Sequence, residues 1–226
     1  MYRAKMMTSA QINTEGAEIA YIDGLNAMKR FSKRAFHVST SFLGLILTSP
    51  LFIIISIILK IEGEGPIFFN QERIGKGGKP FYIHKFRTMK NCAEKEGPQL
   101  AQTNDDRLTK VGKFLREHHL DELPQLWNVF VGDMDYVGYR PERRYFINQI
   151  MKIRPDYSHL FKDRPGVTSK ATVYNGYTDT MEKMIRRLDM DLDYLQHKSF
   201  ILDMKIILLT LFHCVAKYDN KNEIQK

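Results

Sequence analysis

The sequence predicts a helix-rich α/β domain, of the α+β type, with a small β-hairpin and an N-terminal membrane segment. Residues 35–59 contain no Asp, Glu, Lys or Arg, which favours burial in lipid. Two short runs of aromatic and β-branched residues flank the glycine-rich sequence GKGGK, a pattern typical of a hairpin. Residues 106–134 and the C-terminal part show apolar residues at helical spacing, which predicts helices around that hairpin.

The composition indicates a folded, basic protein. Of its 226 residues, 43% are hydrophobic and 27% are charged, values that argue against wholesale disorder. The formal net charge of +8 favours an anionic partner of one of three kinds: nucleic acid, acidic lipid or a phosphorylated substrate. Cys92 and Cys214 have no metal-binding spacing and form no disulfide framework, so a reducing, cytoplasmic environment is expected for the folded part.

Changes in composition divide the chain into four parts. Residues 1–28 are a polar extension without the apolar core and cleavage site of a signal peptide. Residues 29–61 form the membrane segment, residues 62–218 the folded domain and residues 219–226 a polar tail.

The uncharged segment is long enough to cross a bilayer, because its length as a helix is roughly 37 Å against a hydrocarbon core of about 30 Å. Ser49-Pro50 lies near its middle, where proline removes a helical hydrogen bond. A kinked crossing helix and a re-entrant helix that breaks at Ser49-Pro50 both remain open. Basic residues on both sides favour the re-entrant form, because both ends then meet anionic lipid at the cytoplasmic face. These residues are Lys29, Arg30, Lys33, Arg34 and Lys60.

The hairpin is predicted from residues 67–74 and 80–87, which the glycine-rich turn joins. That turn lacks the spacing of a P-loop, so a structural role is favoured over phosphate binding. Arg73, Lys85 and Arg87 are candidate phosphate contacts, and solvated hairpin charges are the alternative interpretation.

A short helix carrying Arg116 is predicted next, followed by His118 and His119. Adjacent histidines on a helix point about 100° apart and rarely share a metal ion, so two partly exposed histidines are expected.

Asp121 and Glu122 are adjacent carboxylates in front of an apolar run. Asp121 is predicted to cap the next helix, with Pro124 in its first turn. Plain capping is one interpretation. In the other, one carboxylate is a nucleophile and its neighbour binds a hard cation such as Mg²⁺ together with substrate phosphates.

The C-terminal part is predicted to be helical. Residues 199–215 are apolar on most faces, which indicates a helix that packs on the core or lies as an amphipathic helix in the membrane interface. Upstream, Asp189, Asp191 and Asp193 lack the glycine and glutamate of a calcium loop, so an acidic helical face is expected.

The order of short motifs is more specific than any one of them. The motifs are Lys33-Arg34, Ser49-Pro50, GPIFFNQERIGKGGKPFYIHKFRTM, DDRLTKVGKFLR, LDELPQLWNVFVGDM, RPE and RPGVT. Together they resemble the bacterial sugar transferases known as small monotopic phosphoglycosyl transferases, over roughly residues 29–210.

The resemblance implies a reaction at the cytoplasmic face of the bacterial inner membrane. In that family the aspartate matched by Asp121 attacks the sugar-bearing phosphate of a UDP-sugar and releases UMP, and the glutamate matched by Glu122 binds Mg²⁺. Polyprenyl (undecaprenyl) phosphate then accepts the phosphosugar, the first membrane step of surface glycan assembly. The membrane segment is implied to be re-entrant, with its break at Ser49-Pro50. Arg116, Arg140 and Arg164 match family arginines and are implied to contact phosphate or nucleotide.

Three departures from the family pattern imply altered specificity. Tyr139 stands where the family has a proline before the arginine matched by Arg140. His37 stands where an aspartate is usual, and SKATVYNGY follows RPGVT where TGWAQVNGR-like sequence is common.

Two other functions are considered. A catalytically silent membrane scaffold for polysaccharide assembly is supported by the departures at Tyr139 and His37. A membrane-tethered nucleic-acid-binding protein is disfavoured, because the aromatic residues lie in apolar runs without an RNP-like or zinc motif. The sequence specifies neither the sugar nor the oligomeric state.

Overall fold

The computed structural model describes residues 27–91, 93, 97–100, 105–175, 178 and 180–224. Its α-helices are α1 (Ala27–Glu62), α2 (Lys110–Glu117), α3 (Gln125–Val131), α4 (Arg144–Ile153), α5 (Lys170–Tyr174), α6 (Met181–His197) and α7 (Phe200–Ile224). Its strands are β1 (Phe68–Ile74), β2 (Pro80–Phe86), β3 (Asp135–Val137) and β4 (Gly166–Thr168). Three 3₁₀ helices cover Lys76–Gly78, Leu120–Glu122 and Pro155–Lys162. The helix-rich fold with small sheets agrees with the predicted class.

Helix α1 is apolar and packs on the rest of the protein along one face only. From Lys33 to Glu62, residues three or four apart are buried or half-buried, whereas the opposite face is exposed. By length and composition Arg30–Glu62 is able to cross a membrane. The exposed apolar residues include Phe42, Leu43, Ile46, Leu47, Ile53, Ile54, Ile57 and Ile58.

The helix continues through the Ser49-Pro50 pair without a gap in secondary structure. Pro50 lacks the N–H group that would bond to the carbonyl of Ile46. The Ser49 hydroxyl donates to that same carbonyl at 2.7 Å, so the group freed by proline is satisfied within the helix. The predicted separation into two helices is therefore not seen, and the re-entrant course stays a prediction.

Two small sheets organise the domain. The predicted hairpin is confirmed: β1 and β2 pair antiparallel, with Phe68 opposite Phe86 and Ile74 opposite Pro80. Strands β3 and β4 pair in parallel at the far side of α3. Gly138 follows β3 directly, and a Cβ atom there would lie 2.6 Å from the carbonyl oxygen of Arg164, so only glycine permits this close approach.

Tyr139, which stands where the family pattern has a proline, holds this segment in place by packing in the core. Its side chain is 2% exposed and belongs to the largest core cluster, together with Phe146, Ile150 and Leu160. The residue also forms a parallel bridge to Pro165. The segment after β3 is thus fixed by burial of an aromatic ring where the family pattern has a proline ring.

The predicted acidic face of α6 is wrong at one position. The carboxylates of Asp189 and Asp193 are 57% and 46% exposed, but Asp191 is only 2% exposed. Asp191 lies on the side of α6 that packs against α4 and the Pro155–Lys162 helix, because the helix buries one face.

We expect Tyr139→Ala to lower the free energy of unfolding by about 3–5 kcal/mol, because it leaves a cavity in the core. Tyr139→Phe should change it by less than about 1 kcal/mol, because the buried hydroxyl has no hydrogen-bond partner among the described residues. Denaturant unfolding of the detergent-solubilised protein, followed by Trp127 fluorescence, measures both. Tyr145→Ala, at an exposed tyrosine, is the control. A Tyr139→Ala loss no larger than that of the control would contradict the packing role.

Candidate active site

Helix α3 is held against strand β2 by a buried asparagine. Asn128 donates from Nδ2 to the carbonyl of Tyr82 at 2.7 Å and accepts from the N–H of His84 at 3.1 Å. The side chain thus pairs with β2 as a neighbouring strand would. This fixes the start of α3, and the residues before it, next to Lys85.

Lys85 and Glu122 form an ion pair across this contact, with Nζ 2.5 Å from Oε1. Burial by itself would raise the pKa of Glu122, but the charges of Lys85 and Arg140 outweigh it and lower the pKa to about 2. Glu122 is therefore firmly ionised at neutral pH.

Asp121 lies beside this pair and is buried. Burial raises the pKa of Asp121, Lys85 opposes that shift, and the negative charge of Glu122 adds to it. Two adjacent carboxylates thus have pKa values displaced in opposite directions, which is a common property of catalytic pairs.

The predicted capping role of Asp121 is wrong. Asp121 lies within the 3₁₀ helix Leu120–Glu122, and the cap of α3 is Pro124. The chain already turns through this 3₁₀ helix, since Leu123 N–H bonds to the carbonyl of Leu120. Asp121 is therefore available for a role other than capping.

His119 has an unusual backbone conformation directly before these carboxylates. Among the described non-glycine residues it alone has a positive φ, 55°. Its charge, when it is protonated, lowers the pKa of both Asp121 and Glu122, which places the exposed imidazole close to them. Such strained residues concentrate at functional sites. His118 lies apart, with its ring 4.2 Å from that of Phe114.

Two of the predicted arginines approach the carboxylates. The charge of Arg116 lowers the pKa of Asp121, and that of Arg140 lowers the pKa of Glu122. Arg116 also donates from Nε to Thr88 Oγ1 at 3.2 Å. The site therefore combines two carboxylates with three cations, Lys85 being the third.

The other three predicted cations have partners within the fold. Arg73 is half-buried and donates to the carbonyl of Pro141 at 3.0 Å, and desolvation lowers its pKa to about 10. Arg87 donates to the carbonyls of Leu59 and Glu64 at 2.6 and 3.0 Å, at the end of α1. Arg164 donates to the carbonyl of Gly132, beyond the opposite end of α3 from Asp121. Their predicted contacts with substrate stay predictions.

His37 forms part of the junction between α1 and the domain. Its Nδ1 lies 3.2 Å from Oδ1 of Asp135, and Lys33 Nζ lies 3.6 Å from Oδ2 of the same carboxylate. Burial would raise the pKa of Asp135, but the hydrogen bond with His37 and the charge of Lys33 lower it to about 2. Lys33 also pairs with Asp203 of α7 at 2.7 Å.

Asp121 and Glu122 are suitable, but incomplete, ligands for Mg²⁺. Both supply the hard carboxylate oxygens that this ion prefers. Within the described residues, no three His, Cys, Asp or Glu side chains converge to form a metal site. Mg²⁺ usually takes one or two carboxylates and completes its shell with water and substrate phosphates, so this donor set fits.

Sequence reasoning missed three residues of this region. Asn128 is a polar residue in an otherwise apolar helix. The sequence does not reveal that this side chain is buried. The positive φ of His119 was not predicted, although histidine is among the non-glycine residues that adopt it more often than most. Asp191 is predicted from the sequence to lie on an acidic helical face, because the segment lacks the glycine and glutamate of a calcium loop, and its burial is not visible there.

A family model described as bacterial sugar transferase matches residues 28–217. A relative in Aeromonas hydrophila, named UDP-N-acetylgalactosamine-undecaprenyl-phosphate N-acetylgalactosaminephosphotransferase, is 38% identical over 80% of this chain and 43% of its own length. Two relatives are named UDP-glucose:undecaprenyl-phosphate glucose-1-phosphate transferase. The one in Escherichia coli (strain K12) is 40% identical over 85% of this chain and 42% of its own length. The one in Caulobacter vibrioides is 42% identical over 79% of this chain and 68% of its own length.

The chain thus spans less than half the length of the first two of these relatives and about two thirds of the third. The match to the family model covers most of this chain and includes all the carboxylates and cations described above. The chain belongs to the bacterial sugar transferase family.

Proposed function

We propose that this protein is a membrane-bound phosphoglycosyl transferase that moves a sugar 1-phosphate from a UDP-sugar to undecaprenyl phosphate. The observation that carries the proposal is the pair Asp121 and Glu122, whose pKa values are displaced in opposite directions within a group of three cations. The names of the relatives supply the substrates. A catalytically silent scaffold would have no use for a buried carboxylate next to a second, ionised one.

In the first step, a carboxylate oxygen of Asp121 attacks the phosphorus that bears the sugar. The bond from that phosphorus to the bridging oxygen breaks, and UMP leaves with the oxygen and its electron pair. In the second step, a phosphate oxygen of undecaprenyl phosphate attacks the same phosphorus and frees the Asp121 carboxylate. The product is a polyprenyl diphosphate sugar, and no proton or electron carrier is needed.

The cations around the site have a role in both steps. Lys85, Arg116 and Arg140 would bind and orient the diphosphate and stabilise the charge that shifts between its oxygens. Glu122 would hold Mg²⁺ with help from substrate phosphates, and this ion, when bound, supplies further charge neutralisation. Lys85 keeps Glu122 ionised for that purpose.

The apolar helix indicates membrane association, and we propose that α1 enters and leaves the membrane by the cytoplasmic face of the inner membrane. Both ends of α1 contact the same domain. Near the start, Arg34 donates to the carbonyls of Val129 and Phe130, and near the end, Glu62 accepts from the N–H of Val111 at 2.8 Å. A straight crossing would place these two contacts on opposite sides of the bilayer. Exposed apolar residues of α7, including Leu208, would lie in the same interface.

We expect Asp121→Asn to reduce UMP release by more than about a thousandfold, because the amide does not act as a nucleophile toward phosphorus. The assay uses Mg²⁺, undecaprenyl phosphate and a panel of UDP-sugars that includes UDP-glucose and UDP-N-acetylgalactosamine. Intact-protein mass spectrometry without the lipid should detect the phosphosugar adduct in the wild type only. Asp106→Asn, at an exposed position, is the matched control. If the folded wild type releases no UMP from any UDP-sugar in the panel, that result would contradict the proposal and favour the scaffold.

Lys85→Met should make the protein more sensitive to acid. The pKa of Glu122 is about 2 in the folded protein and 4.5 ordinarily, so its ionised carboxylate stabilises the fold above pH 4.5. This stabilisation is lost as the pH falls through about 2. Without Lys85 the pKa of Glu122 rises, so the midpoint of acid unfolding should move up by about half a pH unit or more. Circular dichroism measures the midpoint. Lys79→Met, in the exposed hairpin turn, should not move it, and equal shifts in both variants would contradict the ion pair's role.

The membrane course is tested by single cysteines at Ser32 and Lys60, both exposed, in a background with Cys92 and Cys214 changed to serine. In sealed inside-out vesicles a membrane-impermeant maleimide should label both positions, and in right-side-out vesicles neither. A cysteine at Lys79 reports the side of the domain. Labelling of the two helix positions from opposite sides would show a crossing helix instead.

A further inference from the structure

The 3₁₀ helix Leu120–Glu122 rests on the C-terminal half of α1. Leu120 and Leu123 pack against a buried cluster that includes Leu59 of α1. The other face of this half of α1 is exposed and apolar. The candidate nucleophile therefore lies beside the part of the chain that is proposed to enter the membrane.

His119 is fixed by its backbone at the start of this 3₁₀ helix. Its N–H group donates to the carbonyl of Arg116 at 3.3 Å, and its carbonyl accepts from the N–H group of Glu122 at 3.3 Å. Its φ of 55° lies in the left-handed region, where a Cβ atom is crowded. Consecutive Cα atoms are about 3.8 Å apart, so the Cα atoms of His119 and Asp121 lie within about 7.6 Å of each other.

The two adjacent histidines differ in what their side chains contact. Nδ1 of His118 lies 2.8 Å from the carbonyl oxygen of Phe114, and the centroids of these two rings are 4.2 Å apart, so this imidazole packs on α2. The imidazole of His119 is exposed and forms no capping hydrogen bond with the 3₁₀ helix that it precedes. Its ring N–H group is therefore available to a ligand close to Asp121.

An anion that arrives along the membrane surface suits this position. In the proposed reaction the three cations around the carboxylates take the diphosphate of the soluble UDP-sugar, whereas the acceptor phosphate belongs to a lipid. His119 directly precedes Leu120, which packs on α1, so its imidazole is close to the proposed membrane surface as well as to Asp121. Phe114, beside His118, is 53% exposed, and an exposed aromatic ring is typical of the headgroup region.

We propose that His119 binds the phosphate of the polyprenyl acceptor, with its ring N–H donating to one phosphate oxygen while another attacks the phosphosugar on Asp121. This inference rests on the proposed function, because it assigns the acceptor site of the same two-step reaction. The attacking oxygen has to approach the phosphorus to roughly 3–3.5 Å, which brings the acceptor phosphate within reach of a side chain two residues from Asp121. The new bond joins phosphorus to the acceptor oxygen and the bond to the carboxylate breaks, so His119 neither gains nor loses a proton.

The two half-reactions separate this role from others. Without the acceptor, the full chain and a UDP-sugar give the phosphosugar adduct, and undecaprenyl phosphate in nanodiscs then discharges it. We expect His119→Gly, which suits the positive φ, to form the adduct at a rate within about twofold of the wild type. Its discharge should be slower by about tenfold to a hundredfold, as for loss of a hydrogen bond to a charged group. Quenched-flow mass spectrometry of the intact protein measures both rates.

His118→Ala is the matched control and should leave both rates unchanged, because the His118 imidazole packs on α2. Added imidazole should restore part of the discharge rate of His119→Gly. A loss caused by the altered turn would not respond to imidazole and would overturn the proposal. An unchanged discharge rate, or equal losses in the two half-reactions, would overturn it as well. If the wild type itself forms no adduct, the proposed function fails, which is a distinct result.

Discussion

The structure depends on charges buried between the membrane helix and the domain. Asp135 lies between His37 and Lys33 of α1, and Lys33 also contacts Asp203 of α7, which accepts a hydrogen bond from the Tyr194 hydroxyl. A buried charge that loses its partner costs several kcal/mol, so these groups hold α1 in one position on the domain. The apolar outer face of α1 then points in a fixed direction relative to the candidate active site.

A second set of contacts connects α1 with Asp121, the proposed nucleophile. Arg34 of α1 binds the last carbonyls of α3, and Asn128 in that helix pairs with strand β2. Helix α3 has only seven residues, so these contacts connect α1, the hairpin with Lys85 and the Asp121–Glu122 pair across a short distance. In the proposed reaction a lipid phosphate and a water-soluble nucleotide sugar reach the same aspartate in turn, and this arrangement would keep that aspartate at a constant distance from α1.

Local patterns in the sequence predicted the hairpin, helices α2, α6 and α7, and the importance of Asp121 and Glu122, because each depends on neighbouring residues. The features that were not predicted depend on packing between residues that are far apart in the sequence. The burial of Asp191 follows from the side of α6 that faces α4, and the cation that pairs with Glu122 comes from a strand 37 residues earlier. Capping at Asp121 was predicted from residue preference alone, whereas the chain had already begun to turn before it.

Two of the three departures from the family pattern, His37 and Tyr139, have contacts of their own in the structure. His37 pairs with Asp135, and Tyr139 fills the core with an aromatic ring. A protein that had become a silent scaffold would gain stability by replacing Asp121, since burial and the negative charge of Glu122 disfavour its ionised form. Retention of Asp121 beside Glu122 and three cations supports the proposed phosphoryl chemistry.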